Sequence, residues 1–508
     1  MVNKLFYASL ACGLLLSATS CENQKFNDTY VDVDRVHVDT LSAELQKVRD
    51  YVPEYAVVAH RGSTFWTPEE TESAYRWARE VGADYLEADL QVSKDGVILA
   101  LHDSDLKRTT NIENVFGETC PVEIRKQYYL DLGYSEKEAN EKVAADVKAF
   151  VPNYPCSYTY QELMMLDAGK WFNETSIEQA QPGFVSQRQY ISTLEDLIMF
   201  SKGYKLKRDG NGDRVLAQKN GKYFEKTGAT INNPLAYTTE EVVKYNFEYE
   251  EDGEWGGNIP GIYIEFKETW LNPSGFEQMV YDELAAVQNM NIMEKKAASD
   301  KWYITKAESG NRAKNGRMGD KLVNVGETNG KVILQTFSLQ SLVKVGQVFK
   351  GEIPMCFLLW KGTGATDLTY DDPLGYASFI NLAVQNKAHY MGPCIAGAPN
   401  NYPELNQPWQ HDLIHRAKMK NHPYSFDTYD QMAKYFGVYN HGNEGGTRYQ
   451  APYLDAFFTN HTDMSLKFMI ENQDNLGKVN PELKEVISKR PQVVPDPLKV
   501  LEKLGYTE

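Results

Sequence analysis

The residues best suited to chemistry are two carboxylates and a histidine that lie in or beside two neighbouring apolar runs. Glu87 and Asp89 alternate along the run 85–92, and His102 follows the run 97–101. Alternate side chains of a β-strand point to the same face. Two carboxylates on one face suit a hard divalent cation such as Ca²⁺ or Mg²⁺, because these cations bind oxygen ligands.

A hairpin would bring the histidine to the same face. The segment 93–96 reads Ser-Lys-Asp-Gly, which is typical of a turn between two strands. If Val92 pairs with Val97, His102 lies opposite Glu87, and directly opposite side chains share a face. A shift of one residue in this register would separate the groups.

Further residues extend this set. Glu265 and Lys267 alternate in another apolar run and add a third carboxylate and an ammonium group. His60 and His102, both at predicted strand ends, could divide acid and base catalysis near neutral pH. Arg61 carries a planar donor group that matches phosphate oxygens. A single residue of this kind is most often structural, whereas the complete set on one face points to a phosphate substrate.

These residues need a scaffold, and the chain predicts one in which strands and helices alternate. Predicted strands are 56–59, 85–92, 97–101, 261–266, 332–337, 355–359 and 454–458, with helices predicted at 69–81 and 273–290. The alternation favours βα units and a mostly parallel sheet. Two polar spans, at about 110–155 and 202–260, are predicted to be insertions, because neither has the apolar periodicity for a core of its own.

The motifs and their order resemble the glycerophosphodiester phosphodiesterase family. The first group is His60-Arg61-Gly62, Pro68-Glu69-Glu70-Thr71, Glu87-Ala88-Asp89, Ser93-Lys94-Asp95-Gly96 and His102-Asp103. Later familial segments are 163–171, 192–195, 265–267, 335–338 and 454–459, and 422–425 is similar to the form of the periplasmic-type branch. The resemblance extends from about residue 57 to residue 463.

The resemblance implies an α/β fold, a TIM-type (β/α)₈ barrel of the phospholipase-C-like phosphodiesterase kind with large insertions. It places the site at the C-terminal ends of the strands. The implied metal ligands are Glu87, Asp89 and Glu265. The implied acid/base pair is His60 and His102, with His60 as the base. Arg61 and Lys267 would hold the phosphoryl group, and Glu69 would lie at the edge of the site. Glu70 stands where the family has Asn, and we expect its side chain to point to solvent.

The implied activity is metal-dependent hydrolysis of small glycerophosphodiesters to sn-glycerol 3-phosphate and an alcohol. We expect the divalent cation to be Ca²⁺ in preference to Mg²⁺. Two alternatives stay open: a phosphodiesterase of the lysophospholipase D or sphingomyelinase D kind, and a barrel that binds without turnover. The complete set of catalytic groups favours an enzyme, and the insertions are expected beside the mouth of the site.

The composition restricts the partners. The chain has 508 residues, 53 of them basic and 70 acidic, for a net charge of −17. This balance argues against binding to nucleic acid or to an anionic membrane surface. Apolar residues at 42% and charged residues at 24% are typical of a globular protein. We therefore expect a small-molecule substrate, and the oligomeric state is left open.

The N-terminus resembles a bacterial lipoprotein signal. Lys4 precedes the apolar stretch 5–16, and small residues then lead to Cys21. We expect residues 1–20 to be a signal peptide, Cys21 to be lipidated, 21–50 to be a tether and 51–508 to form the barrel. The protein would then be exported and anchored to a bacterial membrane, which it would touch only through its lipid.

Four cysteines remain beyond the anchor: Cys120, Cys156, Cys356 and Cys394. An oxidising compartment permits disulfides, and a Cys120–Cys156 bridge within the first insertion is as compatible with the sequence as free thiols.

Two further segments are partly similar to known binding motifs. His411 and His415 have the i, i+4 spacing with which one helix face binds zinc, but the sequence indicates no third ligand. We therefore expect an ordinary surface helix there. The segment 362–367 is similar to a dinucleotide-binding fingerprint but lacks its final glycine, so we expect a loop.

Overall fold

The structure is a computed structural model that describes most of the chain. The described residues are 33–172, 184, 187–228, 231–232, 238–239, 241–287, 291–296, 302–305, 308, 321–360, 370–440 and 447–507. The predicted signal peptide 1–20, Cys21 and the segment 362–367 lie outside them. Among the described residues, none of the helices has the length and apolar character needed to cross a membrane.

The strands are short. In chain order they are β1 (Ala56–Ala59), β2 (Tyr85–Val92), β3 (Ile98–Ala100), β4 (Tyr204–Leu206), β5 (Phe224–Lys226), β6 (Ile231–Asn232), β7 (Thr238–Thr239), β8 (Val243–Tyr245), β9 (Tyr249–Glu251), β10 (Gly261–Phe266), β11 (Tyr303–Thr305), β12 (Lys321–Val323), β13 (Val332–Thr336), β14 (Met355–Leu359), β15 (Tyr390–Pro393), β16 (Lys420–Asn421), β17 (Val438–Asn440), β18 (Thr447–Tyr449) and β19 (Ala456–Thr459).

The helices lie before, between and after the strands. In chain order they are α1 (Ala43–Arg49), α2 (Glu72–Val81), α3 (Ile112–Val115), α4 (Val122–Asp131), α5 (Glu136–Ala149), α6 (Tyr160–Leu163), α7 (Leu194–Ser201), α8 (Phe276–Ala286), α9 (Leu339–Val348), α10 (Pro373–Gln385), α11 (Pro408–Arg416), α12 (Tyr429–Tyr435), α13 (Thr462–Val479), α14 (Pro481–Ser488) and α15 (Pro497–Leu504).

Eight strands pair in parallel, in the order in which the chain visits them: β1, β2, β10, β13, β14, β15, β16 and β19. β19 pairs back onto β1. The chain at and after β16 closes the remaining gap, because the Asp455 amide donates to the Asn421 carbonyl and the Phe426 amide to the Phe458 carbonyl, both at 2.8 Å. A helix follows each of these strands before the next one begins. The fold is therefore a TIM-type (β/α)₈ barrel, as predicted.

The first βα unit shows why the sequence folds in this way. β1 reads Ala-Val-Val-Ala and is completely buried, as parallel strands covered on both faces are. Thr71 caps α2 by accepting a hydrogen bond from the Ala74 amide. Gly62, between the two elements, has a φ of +82°, and a Cβ there would lie 2.6 Å from the Ala74 Cβ. Only glycine lets the chain after β1 lie so close to α2.

The predicted hairpin register is wrong by one residue. Val92 pairs with Ile98 instead of Val97. Ser93 is the cause, because its amide donates to the Val97 carbonyl and its hydroxyl accepts from the Val97 amide, both at 2.9 Å. The turn therefore contains three residues instead of four. β3 ends before His102, which reaches the site from the loop that follows.

The two insertions share one hydrophobic core. Helices α3 to α5 belong to the span 110–155, and β4 to β9 belong to 202–260. Tyr128 of the first stacks on Phe224 of the second, with ring centroids 5.7 Å apart. Insertion residues of this shared core are Ile112, Tyr128, Tyr129, Ala139, Val143, Phe224, Val243 and Tyr245. Neither span was expected to have a core of its own, and in the structure each supplies part of a common one.

The described part of the predicted tether, residues 33–50, packs against the barrel. Val38, Leu41 and Val48 are buried. The Leu41 amide donates to the Ala417 carbonyl at 3.0 Å, close to the start of β16. This segment therefore lies at the N-terminal end of the barrel strands, opposite the end at which such folds place their sites.

None of these four cysteines is joined in a disulfide, so the structure does not contain the Cys120–Cys156 bridge. Arg125 joins the surrounding elements instead. Its guanidinium donates to Glu162 at 2.6 Å and to Asp146 at 2.8 Å.

Candidate active site

The predicted ligands and their neighbours lie in, or directly after, three adjacent barrel strands. Glu87 and Asp89 are in β2, and the β2–β10 register pairs Asp89 with Glu265. Lys267 directly follows β10, and His60 begins a 3₁₀ turn directly after β1. Because the strands are parallel and adjacent, their alternate side chains meet on one face.

Glu87, Asp89 and Glu265 form a buried carboxylate cluster. One oxygen of each lies within 4.8 Å of the others. Asp89 Oδ2 is buried and has no hydrogen-bond partner among the described residues. Arg61 Nε lies 3.5 Å from this oxygen and forms an ion pair with it but no hydrogen bond. Three close carboxylates with an unsatisfied oxygen fit a divalent cation that takes oxygen ligands.

The charge balance of the cluster also favours a cation. Lys267 Nζ lies 3.1 Å from Glu265 and 3.5 Å from Asp89. Burial raises the pKa of Glu265 to about 8, which Lys267 opposes without reversing. Burial would also raise the pKa of Asp89, but Lys267, His102 and Arg61 together hold it below its usual value. The pKa of Glu87 is raised well above its ordinary value by burial and by Asp89.

Arg61 is fixed by its own backbone. Its φ of +50° is in the left-handed region, and its amide donates to Glu87 Oε2 at 2.6 Å. Glu87 Oε1 accepts from Gln335 Nε2 at 3.0 Å. The guanidinium lies 3.5 Å from Glu69. The arginine side chain is thus held over the carboxylate cluster that its backbone helps to orient.

His60 is oriented by Asn460, which directly follows the adjacent strand β19, and by Asp427, which follows β16. Its Nδ1 lies 2.8 Å from Asn460 Oδ1, and Asn460 Nδ2 donates to Asp427 at 2.6 Å. Because Asp427 fixes the orientation of the amide, Nδ1 of His60 is the donor and Nε2 is left as a base. Burial and the neighbouring Arg61 lower the pKa of His60 to about 3, so the ring is neutral near pH 7.

His102 has a different environment. Its Nδ1 donates to Asp103 Oδ1 at 2.7 Å. Arg108 donates to Asp103 at 2.9 Å and to Glu69 at 3.0 Å. Burial, with Arg61, lowers the pKa of His102, whereas Asp89 and Asp103 oppose that shift. His102 therefore has a carboxylate partner for its protonated form, which His60 lacks.

Glu69 lies between two arginines, Arg61 and Arg108. Glu70 does not point to solvent, so that expectation is wrong. Its side chain is 3% exposed, and its Oε1 accepts from the Asp89 amide at 2.6 Å. The φ of +57° at Glu70 turns the residue inward. Burial and the neighbouring carboxylates raise its pKa well above the usual value.

The site contains four residues that the sequence analysis did not single out: Asn460, Asp427, Gln335 and Arg108. Asn460 directly follows β19 and Gln335 is in β13, so their positions at strand ends were the available signal. Tyr154, at the end of the first insertion, contacts Trp270 after β10, with ring centroids 6.4 Å apart. The first insertion therefore approaches the same end of the barrel as the site.

The fold and the site define a barrel protein with a carboxylate cluster and a pair of histidines set beside two cations. Residues 60–226 match the sequence model of the glycerophosphoryl diester phosphodiesterase family. Over this part of the chain the match agrees with the resemblance that the motifs indicated.

Two curated relatives carry the same name. A glycerophosphodiester phosphodiesterase of Bacillus subtilis (strain 168) is 32% identical over 141 residues, which are 28% of this chain and 34% of the relative. One from Caldanaerobacter subterraneus subsp. tengcongensis is 40% identical over 96 residues, 18% of this chain and 38% of the relative. The chain thus spans just over a third of the length of these relatives.

Among solved structures, a phosphodiesterase of Oleispira antarctica in complex with the product sn-glycerol-3-phosphate is 14% identical, with a TM-score of 0.41. That likeness covers 82% of this chain and 97% of the other.

Proposed function

We propose that the protein hydrolyses glycerophosphodiesters to sn-glycerol 3-phosphate and an alcohol, with the help of a divalent cation. One observation carries the proposal: the carboxylate cluster, two differently partnered histidines and two cationic side chains share one end of a closed barrel. The family match over residues 60–226 supports it.

Different side chains bind the phosphoryl group, transfer protons and hold the cation. Arg61 and Lys267 bind the phosphoryl oxygens and fix the orientation of the diester. Nε2 of His60 accepts the proton of the attacking hydroxyl, which the family resemblance identifies as the glycerol 2-hydroxyl. The new O–P bond closes a cyclic phosphodiester on the glycerol while the bond to the alcohol breaks, and His102, supported on Nδ1 by Asp103, donates a proton to that leaving alcohol. Water then opens the ring with the two histidines in reversed roles, which gives sn-glycerol 3-phosphate. A divalent cation held by Glu87, Asp89 and Glu265 would supply electrostatic stabilisation of the charge that develops on phosphorus oxygens.

The electrostatics of the histidines agree with these roles. His60 is neutral near pH 7 because burial lowers its pKa to about 3, so it is ready to accept a proton. His102 has a carboxylate beside Nδ1, and a bound phosphodiester anion would favour its protonated form further. Two titratable groups whose environments differ in this way suit opposite roles.

We propose Ca²⁺ in preference to Mg²⁺ as the cation. Ca²⁺ takes six to eight oxygen ligands in flexible geometry, whereas Mg²⁺ usually retains several waters and one or two carboxylates. A cluster of three buried carboxylates from two strands supports the larger ion.

We further propose that the protein is exported and anchored by a lipid on Cys21, as a periplasmic-type member of the family. The support is the charged and apolar N-terminal sequence ahead of Cys21 and the segment 422–425. Membrane fractionation of cells that produce the protein or its Cys21→Ala variant tests this. We expect only the unchanged protein in the membrane fraction.

The activity is tested by release of sn-glycerol 3-phosphate from glycerophosphocholine, first with EDTA and then with Ca²⁺ or Mg²⁺ restored. We expect release that EDTA abolishes and Ca²⁺ restores. Hydrolysis of lysophosphatidylcholine but of no glycerophosphodiester would replace the proposed substrate class. Binding without release of any product would overturn the enzyme assignment.

A further inference from the structure

A second cluster of metal-binding side chains lies far from the catalytic residues along the barrel axis. His411 and His415 are one turn apart on α11, and their ring centroids are 4.0 Å apart. Side chains at i and i+4 share one face of a helix. The sequence showed this pair but indicated no third ligand.

The third ligand is Asp455, the residue before β19. His415 Nε2 donates to Asp455 Oδ2 at 2.8 Å, and the same oxygen accepts from the Asn421 amide at 2.6 Å. One ring nitrogen of each histidine and one oxygen of Asp455 all lie within 4.8 Å of one another. Asp455 is 8% exposed, so its position is fixed by the barrel and not by the helix.

The surroundings leave this cluster with an excess of negative charge. The nearest basic side chain, Lys420, is already paired with Asp50 at 3.2 Å and with Glu54. Arg416, on the same helix, is paired with Asp412 at 2.8 Å. The carboxylate of Asp455 therefore faces two imidazoles with no guanidinium or ammonium group bound to it among the described residues.

We propose that His411, His415 and Asp455 form a zinc site at the N-terminal end of the barrel. Two imidazoles and one carboxylate are a common zinc ligand set, with the fourth position taken by water or another small ligand. The chemistry differs from that of the catalytic cluster, whose ligands are all carboxylate oxygens and suit a hard cation. The exposed ring of His415 has room for the small rotation that would bring the ligand atoms closer together.

The position suggests what the metal does. Asp455 and Asn421 belong to the two segments whose hydrogen bonds close the barrel, and α11 connects β15 to β16. A zinc ion there would bind the helix to the closing strand and would stabilise the seam of the barrel. It lies before the first residue of β19, whereas the catalytic residues lie within or after the barrel strands, so it would not touch the substrate.

The test counts zinc ions and asks which residues hold them. The purified protein and its Glu87→Gln variant, in which the catalytic cluster has lost a charge, are titrated with Zn²⁺ alone by calorimetry. We expect Glu87→Gln to retain one zinc equivalent. In that background, His411→Gln or His415→Gln should weaken its affinity by about tenfold or more, the size of a lost metal ligand or of its orienting partner.

His37→Gln is the matched control. His37 also contacts an aspartate, Asp39 at 3.3 Å, but is largely exposed and belongs to none of the candidate metal clusters among the described residues. We expect this variant to bind zinc as its parent does. Zn²⁺ should also raise the Tm of the parent and of the control by a few degrees, and should not raise that of His411→Gln.

Two results would overturn the proposal. One is unchanged zinc affinity in both His411→Gln and His415→Gln. The other is loss of all zinc binding in Glu87→Gln, which would assign the ion to the catalytic cluster. His415 is exposed, so its variant is expected to fold, which circular dichroism of each variant verifies. If only His411→Gln failed to fold, the zinc affinity of His415→Gln would still decide whether the site exists.

Discussion

The carboxylate beside His102 offers a sharp test of the mechanism. In Asp103→Asn, the 2.7 Å hydrogen bond to Nδ1 remains possible but loses its charge. Charge-assisted hydrogen bonds are worth about 1.5–3 kcal/mol, and each 1.36 kcal/mol is about tenfold in rate. The His102 and Asp103 side chains are 32% and 26% exposed, so solvent screening favours the lower part of that range. We expect kcat to fall by about 10- to 30-fold.

The pH profile separates this role from a structural one. The acid must be protonated to act, so activity is lost as pH rises through the pKa of His102. Asp103 raises that pKa, and its neutralisation should move the alkaline limb of the kcat profile to lower pH. The assay is initial-rate release of sn-glycerol 3-phosphate from glycerophosphocholine across pH at saturating Ca²⁺.

Asp105→Asn is the control, because Asp105 is close in sequence but contacts only the Lys107 amide, at 2.9 Å, among the described hydrogen bonds. It should leave both kcat and the alkaline limb unchanged. If Asp103→Asn had a kcat within threefold of the parent and an unshifted limb, the assignment of His102 as an acid supported by Asp103 would be refuted.

The other predictions concern neighbouring positions. His102→Ala should lower kcat by about 10²-fold or more without changing the Tm, as measured by the same assay and by calorimetry, and a loss of only a few-fold would remove His102 from the mechanism. Glu87→Gln should raise the Ca²⁺ concentration needed for half-maximal activity, and activity that never required metal would refute the ligand assignment. Glu70→Gln should retain activity within a few-fold, because an amide oxygen can accept the hydrogen bond that Glu70 Oε1 accepts from the Asp89 amide; a loss as large as that of Glu87→Gln would show that its charge is needed. Gly62→Ala should lower the Tm by several degrees, since its Cβ would meet the Ala74 Cβ at 2.6 Å at a φ of +82°; an unchanged melting curve would contradict that geometry.

The barrel could be predicted wherever strands are apolar and continuous. β2, β10 and β14 begin and end at the predicted residues, because each run is rich in apolar residues. β15 and β16 were missed. β16 has two residues, Lys420 and Asn421, which carry no apolar pattern; they are a strand only because neighbouring strands supply hydrogen bonds.

The site could be predicted in part for the same reason. The alternation of Glu87, Asp89 and Glu265 needs only the period of a strand, so the same-face argument was sufficient. The orientation of His60 could not be predicted, since it depends on Asn460 and Asp427, which come from the far end of the chain. The inward turn of Glu70 depends on a positive φ that no local pattern indicated.

The common core of the two insertions constrains how this barrel can be altered or inherited. Each insertion covers apolar rings of the other, as Tyr128 and Phe224 do. A descendant or an engineered chimera that kept only one insertion would expose that apolar surface to water and become prone to aggregation. The two segments are therefore expected to be gained, lost and exchanged as a pair, although more than 40 residues of barrel sequence separate them.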